Sequence, residues 1–350
     1  MANRFGEAID VEIYGGSHEE KIGVKIAGLP AGRIIDGEAL QAFLDRRAPG
    51  KDPWSTSRKE PDRPVFLSGV REGGSEGAPA AFVTTGEPLE AVIYNKDTRP
   101  GDYARTATVP RPAHADYPAW VKYGSIPSGG GPFSARLTAP LCIAGGILLQ
   151  WLEENGIHIK AGILSIGKIT GEATPVPTRE MQEAIAEAKA KGDSLGGLIQ
   201  CEITGLPAGA GEPIFGSLES RICQTVFAVP AVKGIEFGAG FRAAEMTGSE
   251  NNDPYCLTSD GTVRTRTNHH GGILGGLSSG MPLVFRVAMK PTPSIAMEQD
   301  SVDLAESREV KLQVRGRHDP CIVPRAVPCI EAAAALAMGD VLLEEEKLWI

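Results

Sequence analysis

The residues of this chain best able to move a proton or hold an anion fall into short blocks. Gly15-Gly16-Ser17-His18 follows the alternating segment Ile9–Tyr14, so flexible glycines would let a hydroxyl and an imidazole project from a strand end. Arg111-Pro-Ala-His114-Ala-Asp116-Tyr117 sets a histidine close to both a carboxylate and a guanidinium, a pattern that suits acid–base chemistry and equally a capped helix start. Ser128-Gly-Gly-Gly131-Pro-Phe-Ser134-Ala-Arg136 is a glycine-rich loop leading into a helix. Its backbone N–H groups, with Ser134 and Arg136, suit a phosphate. It lacks the Gly-Lys-Ser/Thr ending of a P-loop and the spacing of a dinucleotide fingerprint. Asn268-His269-His270 precedes Gly271–Gly276, and Lys290-Pro291-Thr292-Pro293-Ser294 follows one strand later. The adjacent histidines share no metal-type spacing with other histidines or cysteines, so no metal is assigned. Last, Arg315-Gly-Arg317-His318-Asp319 crowds ionisable groups ahead of the final helix. With Asp45-Arg46-Arg47 and Arg58 added, many guanidinium groups sit in Gly/Pro loops. Arginine matches carboxylates and phosphates bidentately, so the ligand expected is a small molecule with several anionic groups.

These blocks need elements to hold them. Gly-Leu-Pro-Ala-Gly occurs at 28–32 and again at 205–209, each time after an alternating run (Ile22–Ile26, Ile199–Ile203) and before a capped helix near Asp36 or Ser217. The repeated unit of strand, turn and helix predicts an internal duplication, with pseudo-repeats at about 9–45 and 195–225 inside one domain spanning 1–350. Further helices are predicted from about Arg136 to Glu154, from Thr178 to Gly192, and from Pro328 to Leu343. Strands fit Ile157–Leu164, Leu283–Met289 and Val310–Val314. Mixed elements of this kind imply an α+β layered fold. Segments 46–64 and 95–134 show little periodicity and read as long functional loops.

Composition bounds the partners. The net charge of −9 argues against nucleic acid or an anionic membrane, which need a basic surface, but leaves room for a local arginine cluster. The 43 Gly and 26 Pro make the chain rich in turns. Leu137–Leu152 is apolar but falls short of the roughly 20 residues of a membrane span, so a buried helix is expected there. Residues 1–20 hold no apolar h-region, and the six cysteines form no CxxC pair, which together suggest a reduced, cytoplasmic enzyme.

Taken in order, the blocks resemble the chorismate synthase family over nearly the whole chain. The resemblance rests on Gly-x-Ser-His at 15–18, Asp-Arg-Arg at 45–47, Arg-Pro-x-His-Ala-Asp-Tyr at 111–117, Lys-Tyr-Gly at 122–124 and Gly-Gly-Gly-x-x-Ser-Ala-Arg at 129–136. It continues through Gly-Gly-Ile-Leu-Gly-Gly at 271–276, Lys-Pro-Thr at 290–292 and Gly-Arg-His-Asp-Pro-Cys at 316–321. It implies conversion of 5-enolpyruvylshikimate 3-phosphate to chorismate and phosphate, a 1,4-anti elimination that needs reduced FMN without net redox change. It also implies a β-α-β sandwich and a homotetramer. Carried over by position, His18 resembles the residue that protonates the departing phosphate, and His114 the one that stabilises reduced flavin. Asp319 resembles the carboxylate that relays a proton, and Ser17 the hydroxyl that orients the network. Arg47, Arg58, Arg111, Arg136 and Arg317 resemble substrate-binding arginines; Ser134, Gly275, Lys290, Pro291, Thr292, Pro293, Ser294, Arg317 and Arg47 resemble cofactor contacts. For the electrons the resemblance offers two routes, NADPH contacted at Arg47 or a separate flavin reductase. The same contacts would also serve a flavin-binding or flavin-reducing relative that has lost the elimination. The chain departs from the family pattern at Gly16 and Glu19, and at Ala48, Ser128 and Pro132, where arginines are usual.

Overall fold

The computed structural model of the chain describes residues 3–50, 52, 54–56, 60–73, 81–96, 107–314 and 318–345. The alternating segments pair into two five-stranded antiparallel sheets. One runs, in spatial order, Arg4–Phe5, Asp10–Gly15, Lys21–Ala27, Leu89–Tyr94, Val65–Ser68. The other runs Ile169–Thr174, His158–Ile166, Gly197–Thr204, Leu283–Met289, Val232–Phe237. Helices, in chain order, are α1 (Gly37–Arg47), α2 (Asp116–Tyr123), α3 (Thr138–Glu154), α4 (Arg179–Ala190), α5 (Leu218–Val226), α6 (Gly248–Asn251) and α7 (Val323–Glu344). Helix α3 packs on the first sheet and on α7, and α7 packs on the second sheet, giving a β-α-β sandwich.

The middle strand of each sheet, Lys21–Ala27 or Gly197–Thr204, is the one followed by Gly-Leu-Pro-Ala-Gly. The turns match in conformation, with Gly28 at φ +83° and Gly205 at +84°. Each then leads to a capped helix: Asp36 accepts from the N–H groups of Glu38 and Ala39, and Ser217 from that of Ser220. The two copies of the pentapeptide therefore occupy corresponding places in the two sheets.

A helix apolar on all sides is a core helix. Helix α7, and α3 taken with the three residues before it, fit that description: Ala135–Glu154 and Val323–Glu344 are long and apolar enough to cross a membrane by composition, yet 78% and 94% of their most apolar part is buried within the fold. They cross closely because Gly145 meets Ala332, where a Cβ on Gly145 would lie 2.4 Å from the Ala332 backbone. The run Ala332–Ala335 keeps α7 slim at that crossing. The last helix begins at Val323, five residues before the predicted start, with Pro328 inside it. An interior proline removes one helix hydrogen bond and costs about 3 kcal/mol. Burial of nearly every α7 side chain from Val323 to Leu342 outweighs that cost. Helix α2 lies in the segment read as loop; its eight residues carry Pro118 in the first turn and are too short for a clear period.

Buried carboxylates on α7 tie the layers together. Glu331 takes a two-pronged contact from Arg46 of α1 (2.6 and 3.0 Å) and the N–H of Ala161 from the second sheet (2.9 Å). Asp340, fully buried, accepts from the N–H groups of Glu7, Ala8 and Ile9 at 2.9, 2.9 and 3.1 Å and pairs with Arg221. Asp340→Ala would leave those donors unpaired, so it is expected to lower unfolding free energy by about 3 kcal/mol. Urea denaturation measures this; a loss under about 1 kcal/mol would mean that water replaces the carboxylate.

Candidate active site

Ser17 and His18 sit in the loop between Asp10–Gly15 and Lys21–Ala27. Ser17, 1% exposed, donates its hydroxyl proton to the Gly129 carbonyl (3.0 Å), so the 2.9 Å contact with His18 Nδ1 is made by an Nδ1–H donor. That tautomer leaves Nε2 as the ring atom that exchanges a proton. Gly129, at φ +59°, is pressed against this ring, where a Cβ would lie 2.1 Å from His18 Cε1 and Nδ1. Its neighbour Gly130 faces the second imidazole, and a Cβ there would come within 3.2 Å of His114 Nε2. The glycine-rich loop, expected to cradle a phosphate at a helix N-terminus, thus forms the seat on which His18 and His114 stand on consecutive residues. Its three glycines all have positive φ, and a 3-10 turn, Ala135–Leu137, separates it from α3.

His114 is held by Asp116. Its Nδ1 lies 2.6 Å from Asp116 Oδ1, so the N–H points at the carboxylate and Nε2 faces Gly130 and the cavity. Arg111 grips the same carboxylate through Nε (2.7 Å), Nη2 (2.8 Å) and its backbone N–H (3.0 Å), and Nη1 reaches Ser294 Oγ at 3.2 Å. Burial would raise the Asp116 carboxyl, but hydrogen bonds from Arg111 and His114 and the Arg111 charge hold it well below the usual carboxylate range. Arg111, expected to bind an anionic ligand, is therefore engaged by Asp116, and its Nη2 also lies 3.2 Å from His114 Nδ1.

A second cluster lies deeper. Arg47 is 2% exposed and Arg136 is 5% exposed, and both guanidinium groups meet fully buried Asp62. Glu60 lies 3.7 Å from Arg136 Nη2. Arg47 Nη1 pairs with Asp62 Oδ2 at 3.1 Å, whereas Arg47 Nε and Arg136 Nη2 are buried with no hydrogen-bond partner among the described residues. Buried N–H groups are rarely left so, and donors of this charge suit anionic oxygens. Asn95 joins this cluster to the His18 loop, since its Oδ1 accepts from Arg136 Nε (3.0 Å) while Nδ2 donates to the carbonyls of Gly16 and Glu19 (3.2 and 2.8 Å).

Beside His114 opens a cavity of about 480 Å³, within the range of small-ligand pockets; Ser17, His18, Arg47 and Arg136 are not among the residues of its wall. Of the residues expected to form a site, Arg111, His114, Ser134, Lys290, Thr292, Pro293, Ser294 and Asp319 line it. Gly129 of the His18 seat lines it too. Lys290 bridges its walls, its Nζ donating to the Ala113 carbonyl and its N–H to Ala231 (2.9 Å); burial and nearby Lys233 push its ammonium pKa down. Ser134 caps the 3-10 turn by accepting from the Arg136 N–H. Thr292 Oγ1 is buried with no hydrogen-bond partner among the described residues. Asp319 accepts from the Thr56 N–H (2.8 Å) and from Arg325 Nη1 (2.6 Å).

Other expectations fall elsewhere. Gly275 turns the hairpin between Ile273–Leu274 and Leu277–Ser278; it is exposed and lines none of this cavity, and the turn itself accounts for its positive φ of +64°. Pro291 is exposed beside the cavity rather than part of its wall. Arg58 and Arg317 lie outside the described residues. His270 links Asp253 to Ser279, its Nε2 2.8 Å from the Ser279 hydroxyl, and His269 Nδ1 lies 3.2 Å from the Asn251 carbonyl. Sequence reading did not single out Asp62, Asn95 or Arg325, nor give Asp116 a role. Asp116 carried a signal, because its spacing from His114 is that of an orienting carboxylate; the others have meaning only once distant segments meet.

A family model described as chorismate synthase matches residues 9–343. Chorismate synthase of Lancefieldella parvula is 45% identical, with 98% of this chain and 96% of that protein covered. That of Korarchaeum cryptofilum is 42% identical, with 98% of each covered. Among solved structures, a crystal structure of chorismate synthase is similar with a TM-score of 0.74 at 26% identity, covering 97% of this chain and 93% of that one.

Proposed function

The chain belongs to the chorismate synthase family and is a carbon–oxygen lyase converting 5-enolpyruvylshikimate 3-phosphate to chorismate and phosphate; from that premise we propose how its residues divide the work. The observation that carries the assignment is the pair of imidazoles seated on Gly129 and Gly130, with His18 Nδ1 held by Ser17 and His114 Nδ1 by Asp116.

The cavity fits FMN. It has the volume for a ring system, a buried Thr292 hydroxyl in need of a partner, and Lys290, Ser134 and Ser294 in its wall. Reduced FMN, when bound, supplies an electron-rich ring that eases loss of an allylic phosphate without net oxidation or reduction. His18 protonates the leaving phosphate through Nε2, and Ser17 keeps that ring in place. His114 presents Nε2 toward the flavin, its orientation under the control of Asp116. Asp319 carries the proton lost from C6 of the substrate. Arg47 and Arg136 bind anionic groups of the substrate through Arg47 Nε and Arg136 Nη2, which have no hydrogen-bond partner among the described residues, with Asp62 and Glu60 setting their directions. Arg58, Arg317, Pro291 and Gly275 stay in the proposal from the family resemblance alone.

The assembly proposed is a cytoplasmic homotetramer. Phe215 at 91% and Phe241 at 83% exposure support association, since large apolar side chains so open to water mark contact surfaces. NADPH at Arg47 or a separate flavin reductase would keep the cofactor reduced. The test is an anaerobic assay with chemically reduced FMN and 5-enolpyruvylshikimate 3-phosphate. Chorismate and phosphate are expected in equal amounts over many turnovers; well-folded protein that forms neither would overturn the reading.

A further inference from the structure

We propose that Arg325, in the first turn of α7, is a positioning residue that fixes the proton-carrying Asp319 and the anion-binding Arg47 relative to each other, a role that rests on the lyase reading above. One guanidinium makes both contacts. Nη1 donates to Asp319 Oδ2 at 2.6 Å and Nε donates to the Arg47 carbonyl at 3.0 Å. Asp319 is held from its other side by the Thr56 N–H at 2.8 Å, so its carboxylate has one orientation that satisfies both donors. Asp319 lines the cavity, whereas Arg47 belongs to the buried cluster around Asp62. Arg325 is thus the side chain through which the cavity wall meets the end of α1. Its own position is set by α7, whose burial against α3 and the second sheet makes it a rigid mount.

The planar fork matters as much as the charge. A guanidinium offers donors in fixed directions and can serve a carboxylate and a carbonyl together, whereas an ammonium is a point charge. Arg325→Lys therefore keeps a cation beside Asp319 but gives up the Arg47 carbonyl, and Arg325→Gln gives up the charge as well. The Arg325–Asp319 pair is partly open to solvent, with side chains 18% and 15% exposed, so truncation opens no core cavity.

The experiment measures kcat and KM for wild type, Arg325→Lys and Arg325→Gln with reduced FMN, and repeats Arg325→Gln in an Asp319→Asn background. For Arg325→Lys the expected result is kcat within about threefold of wild type and KM raised about tenfold, because Arg47 is the group released. For Arg325→Gln the expectation is KM raised similarly and kcat lowered about 100-fold. In the Asp319→Asn background the further loss of kcat from Arg325→Gln should nearly vanish, since both changes disable one unit. Retention of wild-type kcat and KM in both variants would overturn the inference, as would equal losses in Lys and Gln variants that add fully to Asp319→Asn, the pattern of general structural damage. If Arg325→Gln does not fold, the split between kcat and KM in Arg325→Lys decides the matter. An inactive wild type would instead count against the lyase reading itself.

Discussion

Gly129→Ala is expected to lower kcat about 100-fold while leaving the protein folded, because a single methyl group would occupy the space of the His18 ring. The Cβ would lie 2.1 Å from two ring atoms and 2.9 Å from Ser17 Oγ, and either side chain that yields changes where Nε2 points. Displacement of about 1 Å at a proton-transfer group is enough for a loss of this size. Alanine at φ +59° also carries a backbone cost of about 1 kcal/mol, which has to be separated from the contact. Gly156→Ala supplies the separation. Gly156 has φ +75° with nothing within 4 Å of its Cβ position, so the same backbone penalty arises far from the histidines. Both variants are expected to lose stability through the backbone, Gly129→Ala more because of the contact, with kcat lost in Gly129→Ala alone. Near wild-type kcat in Gly129→Ala would show that His18 does not depend on this seat.

This glycine also marks where the sequence stopped being informative. The triple glycine was legible as a special backbone, and its position before a helix suggested a phosphate cradle. That two histidines, from loops 111 and 15 residues before Gly129, need the missing side chains is a fact of three-dimensional approach. The fold was more readable, because periodicity reports burial directly. The two alternating runs before Gly-Leu-Pro-Ala-Gly became the middle strands of the two sheets, and Asp36, Thr178 and Ser217 cap helices α1, α4 and α5. The preference of proline for a first helical turn misled at Pro328, where a residue that starts helices in isolation is tolerated inside one that is buried on every side. The arginines were visible as a class but not in their division of labour. Arg111 is consumed by Asp116, Arg46 by Glu331 and Arg325 by Asp319, while Arg47 and Arg136 share Asp62 and each keep an N–H group with no hydrogen-bond partner among the described residues. Which guanidinium stays open to a ligand depends on where the carboxylates fold to, and no local spacing encodes that.

Asp116→Asn is the sharpest probe of the division, with kcat expected to fall about 1,000-fold. The carboxylate faces four donors, two on each oxygen: the Arg111 N–H and Nε on Oδ2, and Arg111 Nη2 with His114 Nδ1 on Oδ1. A carboxamide has one accepting oxygen, so in either orientation its NH2 opposes two N–H groups. The arrangement that keeps the Arg111 backbone bond turns the amide NH2 toward His114. The imidazole then relieves the conflict by accepting at Nδ1 and moving its proton to Nε2, which inverts the hydrogen-bonding sense of the atom facing the cavity. His114→Ala removes the ring but leaves the Arg111–Asp116 pair intact, so a loss of about 100-fold in kcat with little change in stability is expected there. Asp116→Asn should in addition cost about 3 kcal/mol, because Arg111 loses the charge that compensates its burial. The pH dependence separates the two contributions. A carboxyl whose folded pKa is depressed adds stability that is complete above its unfolded value of about 3.9 and is lost as pH falls below it toward the folded value. The stability advantage of wild type over Asp116→Asn should therefore be constant from about pH 5 upward and shrink steadily below about pH 4. An advantage that persisted unchanged at lower pH would mean that the carboxylate is not what holds Arg111 and His114, and a kcat for Asp116→Asn no worse than that of His114→Ala would mean that the tautomer of His114 is set by some other group.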